Sequence, residues 1–177
     1  MNRTWQRVAA AAALVMAVAG CTPDEKPAPA SPVLSAGCPK LSAVPAAGER
    51  QVIQINRDEQ EVLERIVPGA RIDYVVCQYP GPPDIAVHVR AFQGEKGPAQ
   101  ATALADAEQS TTSESGAGFV TVPAVGDSGG FAWSDEPEYT LATHAGNAYV
   151  VVIMNPGTAA DSSKLTTVMT DVLKALS

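Results

Sequence analysis

The sequence predicts an α+β domain: an antiparallel sheet of about five strands with helices packed on one face. Three observations predict this class. Apolar and polar side chains alternate through residues 84–92, as they do in a half-buried strand. Two further strand-like runs, within residues 138–154, flank a short polar turn and indicate a hairpin. Between Leu165 and Leu176, apolar residues recur at the spacing of one helix face.

The first predicted helix begins after Asn56, a good N-cap residue, with Glu59 three positions later in a capping-box arrangement. Its apolar stripe consists of Val62, Leu63, Ile66 and Val67. Pro68 and Gly69 end it. Two strands follow, over residues 71–79 and 84–92, and Gly81-Pro82-Pro83 connects them.

The second half of the domain continues this pattern. An Ala-rich helix is expected from Pro98 to Gln109, with proline at its first position. A short strand is expected over residues 119–125. The hairpin pairs residues 138–143 with residues 148–154. The last helix begins behind a cap at Thr158 or Asp161.

The N-terminal segment has the layout of a secretory signal. Arg3 and Arg7 are followed by an apolar run, Val8–Val18, which is too short to span a bilayer because spanning needs roughly 20 residues. Val18-Ala19-Gly20-Cys21 resembles the lipobox of bacterial lipoprotein signals. The resemblance implies cleavage before Cys21, a lipid on that cysteine, and a mature protein on the outer face of the cell membrane. The alternative is an ordinary cleaved signal with a chance cysteine.

Three segments follow from this interpretation. Residues 1–20 are the signal, residues 21–37 are a Pro- and Ala-rich tether, and residues 38–177 are one extracytoplasmic domain. Removal of the signal takes away two arginines and no acidic residue, which changes the net charge from −7 to about −9. This charge argues against nucleic acid as a partner, and it leaves the lipid anchor as the expected contact with the membrane.

Two cysteines remain after the anchor, Cys38 and Cys77. An even pair in an oxidising compartment predicts a disulfide. The alternative is a metal pair, but neither cysteine has another cysteine or a histidine at ligand spacing. We therefore expect no metal and no cofactor.

Residues 126–130, Gly-Asp-Ser-Gly-Gly, are similar to the nucleophile loop of trypsin-like serine proteases. That resemblance would make Ser128 a nucleophile. The upstream histidine, His88, lacks that family's Ala-Ala-His-Cys context, and the chain is too short for two barrels. The sequence therefore favours a Gly-rich turn. A hydrolase using Ser128 stays as an alternative, and it requires a histidine within hydrogen-bond reach of the hydroxyl with a carboxylate behind it.

The remaining polar candidates are weaker. His88 and His144 are interpreted as surface histidines, on a strand and at the hairpin turn. The acidic residues around Pro137 are interpreted as a solvated loop rather than a cation site: they are Asp135, Glu136 and Glu138.

Three short motifs resemble the actinobacterial lipoproteins of the domain-of-unknown-function family three-five-five-eight, and more distantly the extracellular sensor domains of mycobacterial serine/threonine kinases. Cys38 opens the domain, Cys77-Gln78-Tyr79 lies on a strand, and residues 122–127 read Val-Pro-Ala-Val-Gly-Asp. The resemblance covers Cys38 to the C-terminus. It implies an extracytoplasmic role, and it assigns no catalytic residue because the family has no settled chemistry.

The leading functional hypothesis is a non-enzymatic, membrane-anchored module of the cell envelope. Its partner would be a small molecule, a lipid or cell-wall fragment, or an envelope protein; a structural subunit of a larger complex is a further alternative. The candidate ligand surface is the strand face opposite the helices, with the two rings after the Gly-rich turn as its apolar part. Its residues are His88, Arg90, Phe92, Phe131 and Trp133.

Overall fold

The computed structural model describes residues 33–115 and 118–177. The signal sequence, Cys21 and most of the expected tether lie outside the described residues. The strands are β1 (Glu49–Ile53), β2 (Ile72–Tyr79), β3 (Asp84–Phe92), β4 (Val120–Val122), β5 (Gly130–Asp135), β6 (Glu138–Ala145) and β7 (Ala148–Asn155). The α-helices are α1 (Arg57–Ile66), α2 (Gly97–Ser115) and α3 (Ser162–Leu176), and one 3-10 turn (Ala159–Asp161) precedes α3.

The seven strands form one antiparallel sheet in the order β1-β2-β3-β7-β6-β5-β4. The α+β class with an antiparallel sheet is confirmed, but the sheet has seven strands rather than about five. The two strands that the sequence analysis missed are β1 and β5. All but the last residue of β1 are exposed, so it has no alternating pattern. In β5, the first residue is a glycine that continues the Gly-rich turn.

Helices cover both faces of the sheet, which corrects the expectation of helices on one face. The α3 face is formed by Val87, Val150 and Val152 packed against Val168 and Met169 of α3. The α1–α2 face carries the second core cluster, built from Leu63, Val67, Phe92, Ala101, Leu104, Tyr149 and Val151. The reason lies in β7, whose apolar run is buried on both sides, as is typical of a strand between two layers.

The local signals of the helices are largely confirmed. The Asn56 side chain accepts a hydrogen bond from the backbone N–H of Glu59 at 2.9 Å. Asp161 accepts hydrogen bonds at 3.0 Å from the backbone N–H and the hydroxyl of Thr158, which closes a capping box before α3. In α1 the predicted stripe is only partly buried, since Val62 is 45% exposed. The second helix is longer than expected and ends at Ser115.

The Cys38–Cys77 disulfide is present, as predicted. It holds the segment before β1 against the α3 face, where the Tyr79 hydroxyl donates to the carbonyl oxygen of Pro39 at 2.7 Å. Leu34 is already part of this core, and Val33 packs against it. The packed domain therefore begins before Cys38.

Candidate functional site

The five residues of the expected ligand surface share one face of the sheet, but α1 and α2 lie over that face. Phe92 and Phe131 are fully buried, at 0% and 2% exposure. In the register of the sheet, His88 is aligned with Val151 of β7, which is aligned with Ala142 of β6 and then with Phe131. The structure therefore brings these residues onto one face, and it uses the two phenylalanines as core.

Arg90 is held between the two helices. Its guanidinium lies 2.9 Å from a carboxylate oxygen of Glu59 on α1 and 3.9 Å from one of Glu108 on α2. It also stands 4.6 Å from the centre of the Tyr74 ring, an arrangement that a cation favours. The contacts with Glu59 and Glu108 join α1 and α2 to the sheet.

His88 is half-buried beside this cluster, and not on an open surface. Its Nδ1 lies 2.6 Å from the Tyr74 hydroxyl. Burial lowers the pKa of His88, and the positive charge of Arg90 lowers it further. The neutral imidazole is therefore favoured in the folded domain.

Trp133 belongs to an aromatic stack. Its ring is stacked on Phe131 with centroids 5.5 Å apart, and Phe131 is stacked in turn on Phe119 at 6.0 Å. Trp133 remains partly exposed at the edge of this stack. These contacts show that Trp133 packs at the edge of the hydrophobic core.

A different pair of residues forms the strongest chemical arrangement in the described chain. The Ser128 hydroxyl oxygen lies 2.8 Å from Nε2 of His144. The side chain of His144 is only 8% exposed, and its other nitrogen, Nδ1, is buried without a hydrogen-bond partner. A carboxylate oxygen of Asp127 lies 3.9 Å from Nδ1. His144 is thus a buried strand residue, which corrects its placement at a surface turn.

The Gly-rich turn is tied to the end of β6. The backbone N–H of Asp127 donates to the carbonyl oxygen of His144 at 3.0 Å, and the carboxylate of Asp127 accepts from the N–H of Gly146 at 2.7 Å. Gly126 has a φ of +70°, and a Cβ there would overlap Thr143. The turn therefore needs glycine both for its backbone and for its close approach to β6.

A cleft of about 290 Å³ opens beside this pair, between α2 and the Gly-rich turn. Its size is close to the lower end for small-molecule sites. Apolar lining comes from Ala105, Val122, Pro123 and Phe131, and polar lining comes from Asp106, Gln109, Thr121, Ser128, Thr143 and His144. Among the residues that the structure describes, no lysine or arginine lines it. The cleft is therefore suited to an uncharged ligand that accepts or donates hydrogen bonds.

A larger cavity of about 400 Å³ lies between α1 and the first two strands, with Ile53, Leu63 and Ile72 in its lining. Its carboxylate, Glu64, accepts hydrogen bonds from the backbone N–H of Gly69 at the end of α1. The Ser128–His144 cleft, by contrast, contains a serine hydroxyl in contact with a histidine nitrogen. We therefore take the Ser128–His144 cleft as the candidate site.

The described residues contain neither a cluster of metal ligands nor a membrane-spanning helix. Across residues 33–115 and 118–177, no group of three His, Cys, Asp or Glu side chains is arranged to hold a metal ion. Among the same residues, no helix is long and apolar enough to cross a membrane.

Comparisons with known proteins give no match: no family model, no curated protein and no solved structure is similar to this chain. The resemblance to the lipoproteins of family three-five-five-eight and to kinase sensor domains therefore stays a prediction.

Proposed function

We propose that this chain is a lipid-anchored protein of the cell envelope whose extracytoplasmic domain binds a small molecule in the Ser128–His144 cleft. The anchor rests on the lipobox at Cys21 and the expected export signal before it. The binding role rests on one observation: the cleft brings a serine hydroxyl and a buried imidazole together beside an apolar wall. Small-molecule sites commonly combine an apolar lining with a few polar groups placed in this way.

The position of the cleft supports a ligand from the membrane surface. Val33 and Leu34, the first described residues, line the same cavity as Asp127 and Gly146. The chain therefore reaches the domain at the end that carries the Gly-rich turn. Eleven residues lie between Cys21 and Val33, so the twelve residue steps from one to the other extend at most about 43 Å. The end of the domain that carries the Gly-rich turn would therefore face the bilayer.

Native mass spectrometry of the protein, released gently from its own membrane, tests the binding role. We expect extra mass on the folded domain that disappears on denaturation. In Gln109→Trp, a large ring fills the mouth of the cleft, and we expect that mass to be lost. Ser110→Trp, on the exposed side of the same helix, is the matched control and should keep it. Retention of the mass by Gln109→Trp would place the ligand elsewhere.

Cys21→Ala tests the anchor. Lipidation of this cysteine is what the proposal requires for membrane attachment. We expect the variant to move from the membrane fraction to the soluble fraction, with the same disulfide-bonded domain. A variant that stays in the membrane fraction would contradict the anchor.

A further inference from the structure

The Ser128–His144 pair has the geometry of a nucleophile beside its base. The serine is exposed at the mouth of the cleft, while the histidine is buried beneath it. Their polar atoms are 2.8 Å apart, which is within the reach required for proton transfer. A histidine that touches a serine hydroxyl raises the reactivity of that hydroxyl by accepting its proton.

We propose that Ser128 and His144 cleave an uncharged carboxylic ester held in the cleft, with Ser128 as the nucleophile and His144 as the general base. This inference rests on the proposed function, because it assumes that the cleft takes a ligand. It differs from the expectation that the domain is not an enzyme. It also differs from the protease resemblance, since the histidine lies after the serine in the chain and is not His88.

The lining of the cleft favours an ester of a neutral acyl group. Asp106 is the one carboxylate among the lining residues, and no lysine or arginine is among them, so an anionic substrate would be repelled. Phe131, Val122 and Pro123 supply an apolar side on which an acyl chain can lie. In the cleavage of an ester, the leaving alcohol needs only one proton, and His144 can donate it.

The environment of His144 supports the base role. For Nε2 to accept the hydroxyl proton, Nδ1 must carry its own hydrogen. The carboxylate of Asp127 stands 3.9 Å from Nδ1 and is oriented by the backbone N–H of Gly146. Its negative charge favours the imidazolium that forms during the reaction, and contacts of this kind commonly shorten when substrate binds. Asp127 is therefore a positioning residue.

The reaction balances with water as the only co-reactant. Ser128 Oγ forms a bond to the ester carbonyl carbon, and its proton passes to Nε2 of His144. The carbon–oxygen bond to the alcohol breaks, and the alcohol leaves with that proton. A water molecule then attacks the acyl-serine and gives one proton to Nε2. The carboxylic acid leaves as Ser128 Oγ recovers a proton.

An alkyl fluorophosphonate tests the inference, since it phosphonylates an activated serine and releases fluoride. Intact-mass analysis of the disulfide-bonded domain should show one adduct on the wild type and none on Ser128→Ala. Ser163→Ala removes an exposed serine on α3 and should label like the wild type. His144→Gln should label at least about 100-fold more slowly, because base catalysis commonly contributes that much.

The pH profile distinguishes a base from a purely structural histidine. Labelling of the wild type should become faster as the pH rises, while labelling of His144→Gln should show no such dependence. Asp127→Asn should slow labelling and change its dependence on pH, because the carboxylate that positions the imidazole is gone. If His144→Gln does not fold, the wild-type and Asp127→Asn profiles still carry the test.

The outcomes separate the two proposals. An adduct on Ser128 with the expected pH profile supports ester cleavage. A co-purifying ligand that is lost in Gln109→Trp, with no adduct on Ser128, overturns ester cleavage and leaves the binding role. If the protein shows neither a co-purifying ligand nor an adduct on Ser128, both the binding role and ester cleavage are overturned. Equal labelling of the wild type and Ser128→Ala also overturns ester cleavage.

Discussion

The hydroxyl oxygen of Ser128 lies 2.8 Å from Nε2 of His144, although the two residues are 16 positions apart in the chain. The β5–β6 hairpin produces this proximity. Gly130 is aligned with Thr143 in its register, so the residues before β5 fold back beside the end of β6. Recognition of β5 in the sequence would have placed Ser128 near His144.

Gly126→Ala is expected to displace the Gly-rich turn and to abolish ligand retention in the cleft. Its φ is +70°, where an L side chain costs about 1–2 kcal/mol, and its Cβ would overlap Thr143 and the carbonyl oxygen of His144. Gly146→Ala is the matched control, because its φ is +54° and its Cβ would meet nothing within 4 Å. If Gly126→Ala and Gly146→Ala had equal effects in thermal unfolding and native mass spectrometry, the close approach of Gly126 to β6 would be contradicted.

Arg90→Met is expected to lower the free energy of unfolding by about 2 kcal/mol, because it removes the partly buried ion pair with Glu59 and the charge facing Glu108. Denaturant unfolding measures this change. Arg57→Met removes an ion pair with Glu61 whose side chains are 88% and 62% exposed, and should cost less than about 0.5 kcal/mol. A double-mutant cycle with Glu59→Gln should show coupling at Arg90. Similar losses of unfolding free energy in Arg90→Met and Arg57→Met would argue against the role of Arg90 in joining α1 and α2 to the sheet.

The stability of the domain is expected to fall as pH drops below the ordinary histidine pKa of about 6.5, in part through His88. Its pKa is lowered in the folded state by burial and by Arg90, so the unfolded chain binds the proton first. His88 thus contributes its full stability above that pH and loses it towards the lower folded pKa. His88→Gln should show a weaker dependence in urea unfolding between about pH 7 and pH 5. Parallel curves for variant and wild type would contradict this.

Reduction of the Cys38–Cys77 disulfide is expected to lower the free energy of unfolding by about 4 kcal/mol on the chain-entropy model. The bridge closes 39 residues, and Cys77 is fully buried. The Cys38→Ser/Cys77→Ser double variant should reproduce the loss without reductant. A change below about 1 kcal/mol would mean that packing alone holds the segment before β1.

The sequence predicts those parts of the fold whose pattern arises within a single helix or strand. The alternation in β3 and the helical spacing in α3 arise within one element, and both were predicted. The covering of both sheet faces by helices was not predicted, because in the sequence His88 and Arg90 look like solvent-facing residues. In the structure His88 hydrogen-bonds to Tyr74 and Arg90 pairs with Glu59, and both partners lie on other elements.

The candidate site was predictable only in part. Ser128 and Asp127 stood out as a Gly-rich motif, and the requirement for a nearby histidine could be stated in advance. His144 could not be assigned, because it was placed in a turn that the structure extends as strand β6. Its burial depends on the long-range packing of α2 and β5 around it, which local patterns do not contain.

The most direct test of the account is the orientation of the lipidated domain on a membrane. A fluorophore at Pro123→Cys marks the cleft, and one at Glu136→Cys marks the opposite end of the sheet, next to the start of β6. The protein is inserted by its anchor into phosphatidylcholine vesicles that contain a nitroxide-headgroup lipid. The account predicts stronger quenching at Pro123→Cys. Equal quenching, or stronger quenching at Glu136→Cys, would contradict a cleft held towards the bilayer.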